Sequence, residues 1–228
     1  MMKKKFQFLV FVLATAFVSF GAGAASLVQL EKKSIDASNV LEEIMNISES
    51  TIPDDLLKRA VCVATIPDVI RVGFVFGARY GTGLVSCRVP GGWSQPSFLS
   101  IKGGSWGAQI GIASVDLVLV FIRENAIEKF SKNNLTVGVD AAVAVGPVGR
   151  DAQAGTDYQL NSEIYSYSRA RGIFAGLAIQ GTLLNVKNKD NAKIYGPLVK
   201  TKEILSTDGA KSPYNVMSYV HALTTYAP

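Results

Sequence analysis

Residues 137–183 constrain this chain more than any other stretch. They read VGVDAAVAVGPVGRDAQAGTDYQLNSEIYSYSRARGIFAGLAIQGTL, almost wholly small, apolar and turn residues. Two mainly apolar runs, 139–145 and 173–179, are each closed by a glycine, Gly146 directly and Gly181 after Gln180. Such runs predict strands buried on both faces, packed into a glycine-rich sheet. Arg150 and Arg171 adjoin glycines in the polar segment between them. A half-buried guanidinium needs a carboxylate, so pairing with Asp140, Asp151 or Asp157 is expected ahead of ligand contact. The stretch holds no evident catalytic set.

The first 24 residues read as a leader. Lys3-Lys4-Lys5 precedes an apolar run over 8–20, and Ala22-Gly23-Ala24 fits the small-x-small cleavage rule, making Ala25 the first mature residue. The domain expectation is a leader over 1–24 and one domain over 25–228. Removing the leader also removes most of the basic excess: 23 Lys+Arg less its three lysines leaves 20, against 18 acids. That balance argues against a nucleic-acid partner.

Cys62 and Cys87 are the only cysteines, and there is one histidine, too few for a typical structural zinc site. In an exported protein the two cysteines either pair or stay as buried thiols.

Coarse periodicity predicts helix, then close-spaced strands, then helix. Residues 26–50 show an apolar stripe of Val40, Leu41, Ile44 and Ile47. Pro53 with Asp54-Asp55 starts a second helix reaching about residue 64, ended by Ile66-Pro67. Strands are expected over 72–76, 83–89, 97–102, 108–113 and 115–122, and again over 139–145, 160–168 and 173–184. Short helices are expected over 124–132, 188–195 and 200–205. Ser212-Pro213 should open a last helix carrying Val216, Met217, Val220 and Leu223 on one face. Short connections favour antiparallel neighbours. The fold expected is α+β: N-terminal helices, a largely antiparallel glycine-rich sheet of sandwich or barrel-like form, and a C-terminal helix.

Gly103-Gly104-Ser105-Trp106-Gly107 matches the G-x-S-x-G nucleophile pattern, and His221 follows it. That motif requires strand–turn–helix, whereas the residues after it alternate like a strand, so a serine hydrolase using Ser105 is a minor alternative. Residues 77–83, GARYGTG, lack a phosphate-loop lysine and read as a hairpin turn. Trp93 and Trp106 beside glycine turns read as packing residues, with insertion at a bilayer interface as the alternative. Lys32, Lys33, Lys58, Arg59 and Arg71 are either solvated helix charges or a surface that meets anionic headgroups.

The ordered set of local patterns resembles one family. It comprises Ile-Pro-x-x-Leu-Leu from Ile52, Gly-Ala-Arg-Tyr-Gly-Thr-Gly from Gly77, Trp-Ser-x-Pro from Trp93 and Gln-Ile-Gly from Gln109. Asp-Leu-Val-Leu-Val from Asp116, Gly-Pro-Val-Gly-Arg from Gly146, Tyr-Ser-Tyr-Ser-Arg-x-Arg-Gly-Ile-Phe-Ala-Gly from Tyr165 and Tyr195-Gly196 complete it. Together these resemble the SYLF domain family, also called the Ysc84 actin-binding or DUF500 family, over residues 34–223. The resemblance is to bacterial exported members, although no lipid-modified cysteine follows the leader and Cys62 stands where relatives carry a small residue.

The resemblance implies a lipid-binding module with no established catalytic set and no cofactor. The expected partners are anionic membrane lipids, and envelope proteins in an alternative reading as an interaction module. Lys32, Lys33, Lys58, Arg59 and Arg71 are the candidate headgroup contacts. The expected location is periplasmic or secreted, peripheral to a membrane.

Overall fold

The structure is a computed structural model and describes residues 25–47, 51–73, 76–106, 111–133, 135–146, 162–170, 173–174, 179–206, 212 and 214–228. The leader, Arg150, Asp151, Asp157 and Arg171 lie outside these residues.

Helix α1 spans Leu27–Asn46. Ser26 caps it, accepting from the Gln29 N–H while the Gln29 side chain accepts from the Ser26 N–H. Leu30, Ser34, Ala37, Val40, Leu41 and Ile44 are its buried stripe, at helical spacing. Helix α2, Asp54–Lys58, is only one turn long. The expected continuation to residue 64 is wrong, because strand β1 already begins at Cys62 and runs to Gly73. Val63, Ala64 and Thr65 are fully buried there between two neighbouring strands, and sheet pairing overrides the local helical pattern. Pro67 does not end the element. It falls where both pairings of β1 shift register, between Thr65 and Ile70, and Asp68 adopts φ 52°. A bulge is where a sheet tolerates proline.

Strand β2 (Phe76–Val89) pairs with β1, β3 (Gly92–Trp93) and β4 (Ser97–Trp106). The glycine-rich 77–83 segment is the interior of β2, not the hairpin turn its composition suggested. Strand β5 (Gly111–Phe121) pairs with β1 on its other side and joins two expected strands into one. Helix α3 (Ala126–Ser131), β6 (Leu135–Thr136), β7 (Val143–Val145), β8 (Ile164–Ala170), β9 (Ile173–Phe174) and β10 (Thr182–Val186) follow. The chain ends with α4 (Asn188–Tyr195), α5 (Thr201–Ile204) and α6 (Ser218–Tyr226). The last helix starts later than Ser212 suggested. The Ser212 hydroxyl accepts from the Tyr214 N–H instead, closing a local turn.

The described strands form one sheet in the order β6-β10-β4-β2-β1-β5-β8-β7, antiparallel except for β7 beside β8. Strand β7 is therefore an edge. Val145 is exposed on it and Val139 is exposed in the turn before it, so residues 139–145 are not buried on both faces as expected. Asp140 is exposed and bonds locally, accepting from the Thr136 N–H.

Two cores flank the sheet. On one face Val63, Leu84, Phe98, Val118 and Tyr167 pack under α1, α2 and α6. On the other, Ile66, Leu99 and Leu117 share a core with Ile164 of β8 and Leu184 of β10. Those last two strands stand far apart in the sheet order, so the sheet curls around this second core as a half-barrel. The architecture is α+β, with helices at both ends of the chain and a large, mostly antiparallel sheet. Cys62 and Cys87, opposed in register on β1 and β2, are joined by a disulfide.

Candidate functional site

The bulge in β1 brings Asp68 up toward the middle of α1. Between them, β2 and the start of α4 lies a cleft of about 400 Å³. Its floor is Leu30, Phe98 and Leu99, and its rim carries Lys32, Lys33, Asp36, Asp68, Lys187 and Asp190. Lys32 bonds both Asp36 oxygens at 2.6 and 2.8 Å. Lys187 reaches Asp190 at 2.6 Å, and that carboxylate is 1% exposed. Lys33 is half-buried. Burial pulls its ammonium below the usual lysine value, against the opposing pull of Asp36 and Asp68.

Beyond α1 the ends of β1, β2 and β5 project past the helix layer. Ile70 opposes Tyr80, and Val72 opposes Ile112. Cross-strand partners and alternate residues of a strand share one face, so these four side chains form one patch. It lies on the same face as α1: Val69 belongs to the core on the other side, and Ile70 alternates with it. They are 50%, 46%, 48% and 79% exposed in the order Ile70, Tyr80, Val72, Ile112. Exposed Lys102 is the β4 partner of Tyr80 and borders the patch.

On the far side of β5 from the cleft, Arg169 of β8 bonds Asp116 at 2.8 Å and also contacts Glu43 of α1. Asp116 accepts from the Asp68 N–H as well. Its carboxylate thus ties together the bulge, β5 and β8, and Arg169 carries that tie on to α1.

The five cations expected to meet headgroups are divided. Lys32 and Lys33 share the cleft. Arg71 points to the opposite face, where it opposes the buried Arg79. The Arg79 guanidinium is held below its usual value, by burial first and by Arg71 second. Lys58, paired with Asp55 at 3.7 Å, and Arg59 lie just before the other end of β1, roughly 30 Å from Arg71 at strand rise. Lys102 and Lys187, absent from the expected set, join the cleft-and-patch side. The alternation of Ile70, Val72 and Ile112 with small or polar residues was the available signal for the patch. It could not say which face the helices leave bare.

Ser105 lies inside β4, opposite Gly77. The strand–turn–helix that a nucleophile elbow requires is not formed there, since β4 continues to Trp106. His221 is exposed on α6. Trp93 is buried, donates from Nε1 to the Ala227 carbonyl and carries Arg88 over its ring at 4.5 Å. Among the described residues no group of three or more His, Cys, Asp or Glu could hold a metal ion. No described helix is long and apolar enough to cross a membrane.

Residues 102–226 match the Ysc84 family, described as "Las17-binding protein actin regulator". The chain belongs to this family. The Ysc84 match agrees with relatives across most of the chain. An SH3 domain-containing YSC84-like protein 1 from Xenopus laevis is 37% identical over 173 residues, 73% of this chain and 52% of the relative. Its Homo sapiens counterpart is 34% identical over 185 residues, 78% of this chain and 54% of that protein. LAS seventeen-binding protein 3 of Saccharomyces cerevisiae is 33% identical over 163 residues, 70% of this chain and 35% of that protein. The chain spans about half the length of the first of these relatives. These Ysc84 relatives are named for binding and for their domains, not for a reaction.

Proposed function

We propose that this Ysc84-family chain is a non-enzymatic protein that docks on anionic phospholipid surfaces. The observation that carries this reading is the apolar patch Ile70, Val72, Tyr80 and Ile112, bordered by Lys102, on the same face of the sheet as the cleft that holds Lys32 and Lys33. Half-exposed side chains of this size each contribute about 1 kcal/mol on entering the headgroup boundary. A lysine near an anionic surface adds about 1 kcal/mol. The sum suits reversible peripheral attachment rather than permanent insertion. The leader pattern and the Cys62–Cys87 disulfide both support a periplasmic or secreted location, since disulfides persist in oxidising compartments.

Co-sedimentation of the mature chain with phosphatidylglycerol- or cardiolipin-rich vesicles tests this. Binding should be present at low salt, weaken at moderate salt and be far weaker on phosphatidylcholine. Equal absence from all vesicles rejects the reading.

A protein-partner reading is favoured by one feature, the description of the family and the yeast relative by what they bind. The exposed edge at β7 is a surface an envelope partner could extend. Specific capture of an envelope protein, with no vesicle affinity, would select it.

A further inference from the structure

The start of α1 is held by a carboxylate from another helix. Ala25 N lies 3.0 Å from Asp190 Oδ1. Lys193 Nζ, 2.8 Å from the Ala25 carbonyl oxygen, fixes the same residue. Asp190 is 1% exposed and has Lys187 on its other oxygen. In an uncleaved chain the donor at Ala25 is a neutral amide, a modest partner for a carboxylate withdrawn from water.

Two further observations bear on this contact. The cleavage pattern Ala22-Gly23-Ala24 ends immediately before Ala25. Helix α1 has no acid in its first turn, so the positive end of its dipole lacks a carboxylate of its own. An ammonium there would be unfavourable without a nearby anion, and Asp190 stands at that position.

We propose that Asp190 is the receptor for the α-ammonium group that leader removal creates at Ala25, so that proteolytic processing completes the anchoring of α1. A leader peptidase adds water across the 24–25 amide. Hydroxyl goes to the acyl carbon of Ala24, hydrogen goes to the Ala25 nitrogen, and the free amine takes a proton from solvent. The nitrogen need not move. Its one neutral donor becomes three charged ones, and charge-assisted bonds are about twice as strong as neutral ones. Because Ala25, Lys187 and Asp190 line the cleft, the new charge is also delivered to its wall.

The inference rests on the leader reading, and the two fail separately. The full chain is exported from a bacterial host and its intact mass measured. A product beginning at any residue other than Ala25 overturns both. With Ala25 confirmed, one glycine is inserted between Ala24 and Ala25, which displaces the ammonium by about 3.8 Å and keeps the Ala25 amide. Insertion should lower Tm by about 3–6 °C in the wild-type background and by about 1 °C or less alongside Asp190→Asn. Equal losses in the two backgrounds overturn the receptor role while leaving the leader reading intact. Should Asp190→Asn fail to fold, amine reactivity decides. The processed N-terminus should acylate at neutral pH about tenfold more slowly than that of the insertion form, and equal rates overturn the proposal.

Discussion

Gly83 of β2 runs so close to Thr65 of β1 that a side-chain carbon on it would stand 2.1 Å from the Thr65 carbonyl oxygen and 2.7 Å from the Ile66 Cα. Both neighbours are backbone atoms of fully buried residues, so neither can swing away. Gly83→Ala should therefore displace β2 from the bulge and cost about 2–4 kcal/mol, read as a lower urea midpoint. Gly91→Ala, a control where the added carbon meets nothing within 4 Å but the backbone has φ 90°, should lose only about 1 kcal/mol.

The Cys62–Cys87 disulfide closes a loop with a sequence separation of 25. Loop-closure entropy predicts a contribution of about 3 kcal/mol. Wild type should unfold at lower urea in reducing buffer than in oxidising buffer. Cys62→Ala with Cys87→Ala should match the reduced form and lose that redox dependence.

Arg169 joins α1 to the sheet through Glu43 and Asp116. Burial opposes its charge, yet the bonds to the two acids outweigh burial and hold the guanidinium above its usual value. Arg169→Met keeps the stem but leaves the largely buried Asp116 facing Glu43 without a cation. The expected loss is on the order of 2–3 kcal/mol. Adding Asp116→Asn should recover part of it, which thermal unfolding of the single and double variants will measure.

Lys33 separates stability from membrane docking. Its folded-state pKa is lowered, so the unfolded chain binds the proton more tightly than the folded one. Its stability contribution is poorest where both states are charged, and improves as pH rises through the folded value toward the unfolded value near 10.4. Lys33→Met should raise Tm at pH 7 by a few degrees at most, with the advantage shrinking in alkaline buffer. The same variant should bind anionic vesicles about fivefold more weakly, for loss of one headgroup charge. Ile112→Ser, at a position 79% exposed, should leave Tm nearly unchanged and weaken vesicle binding about tenfold.

Much of the architecture is legible before any coordinates. The spacing of Val40, Leu41 and Ile44 specifies a helix with one buried stripe. Alternation and close-spaced turns specify antiparallel strands. The ordered local patterns specify the family. These are short-range properties, carried by neighbours within a few residues, and they survive any arrangement of the elements.

What they could not specify is which residues meet across the sheet. Val63–Thr65 looks like the end of a helix until two long strands flank it. Residues 77–83 look like a turn until β4 pairs with every one of them and β1 with the first four. Residues 139–145 look like a core strand until the sheet order leaves β7 at an edge. The same holds for the site. Lys32 and Lys33 sit beside one another in the chain, but only tertiary packing sets Lys187 and Asp190 against them and sends Arg71 to the other face. A bulge at Pro67-Asp68 decides this, because one extra residue in a strand inverts the facing of all that follow, and the partners that define the bulge lie on other strands.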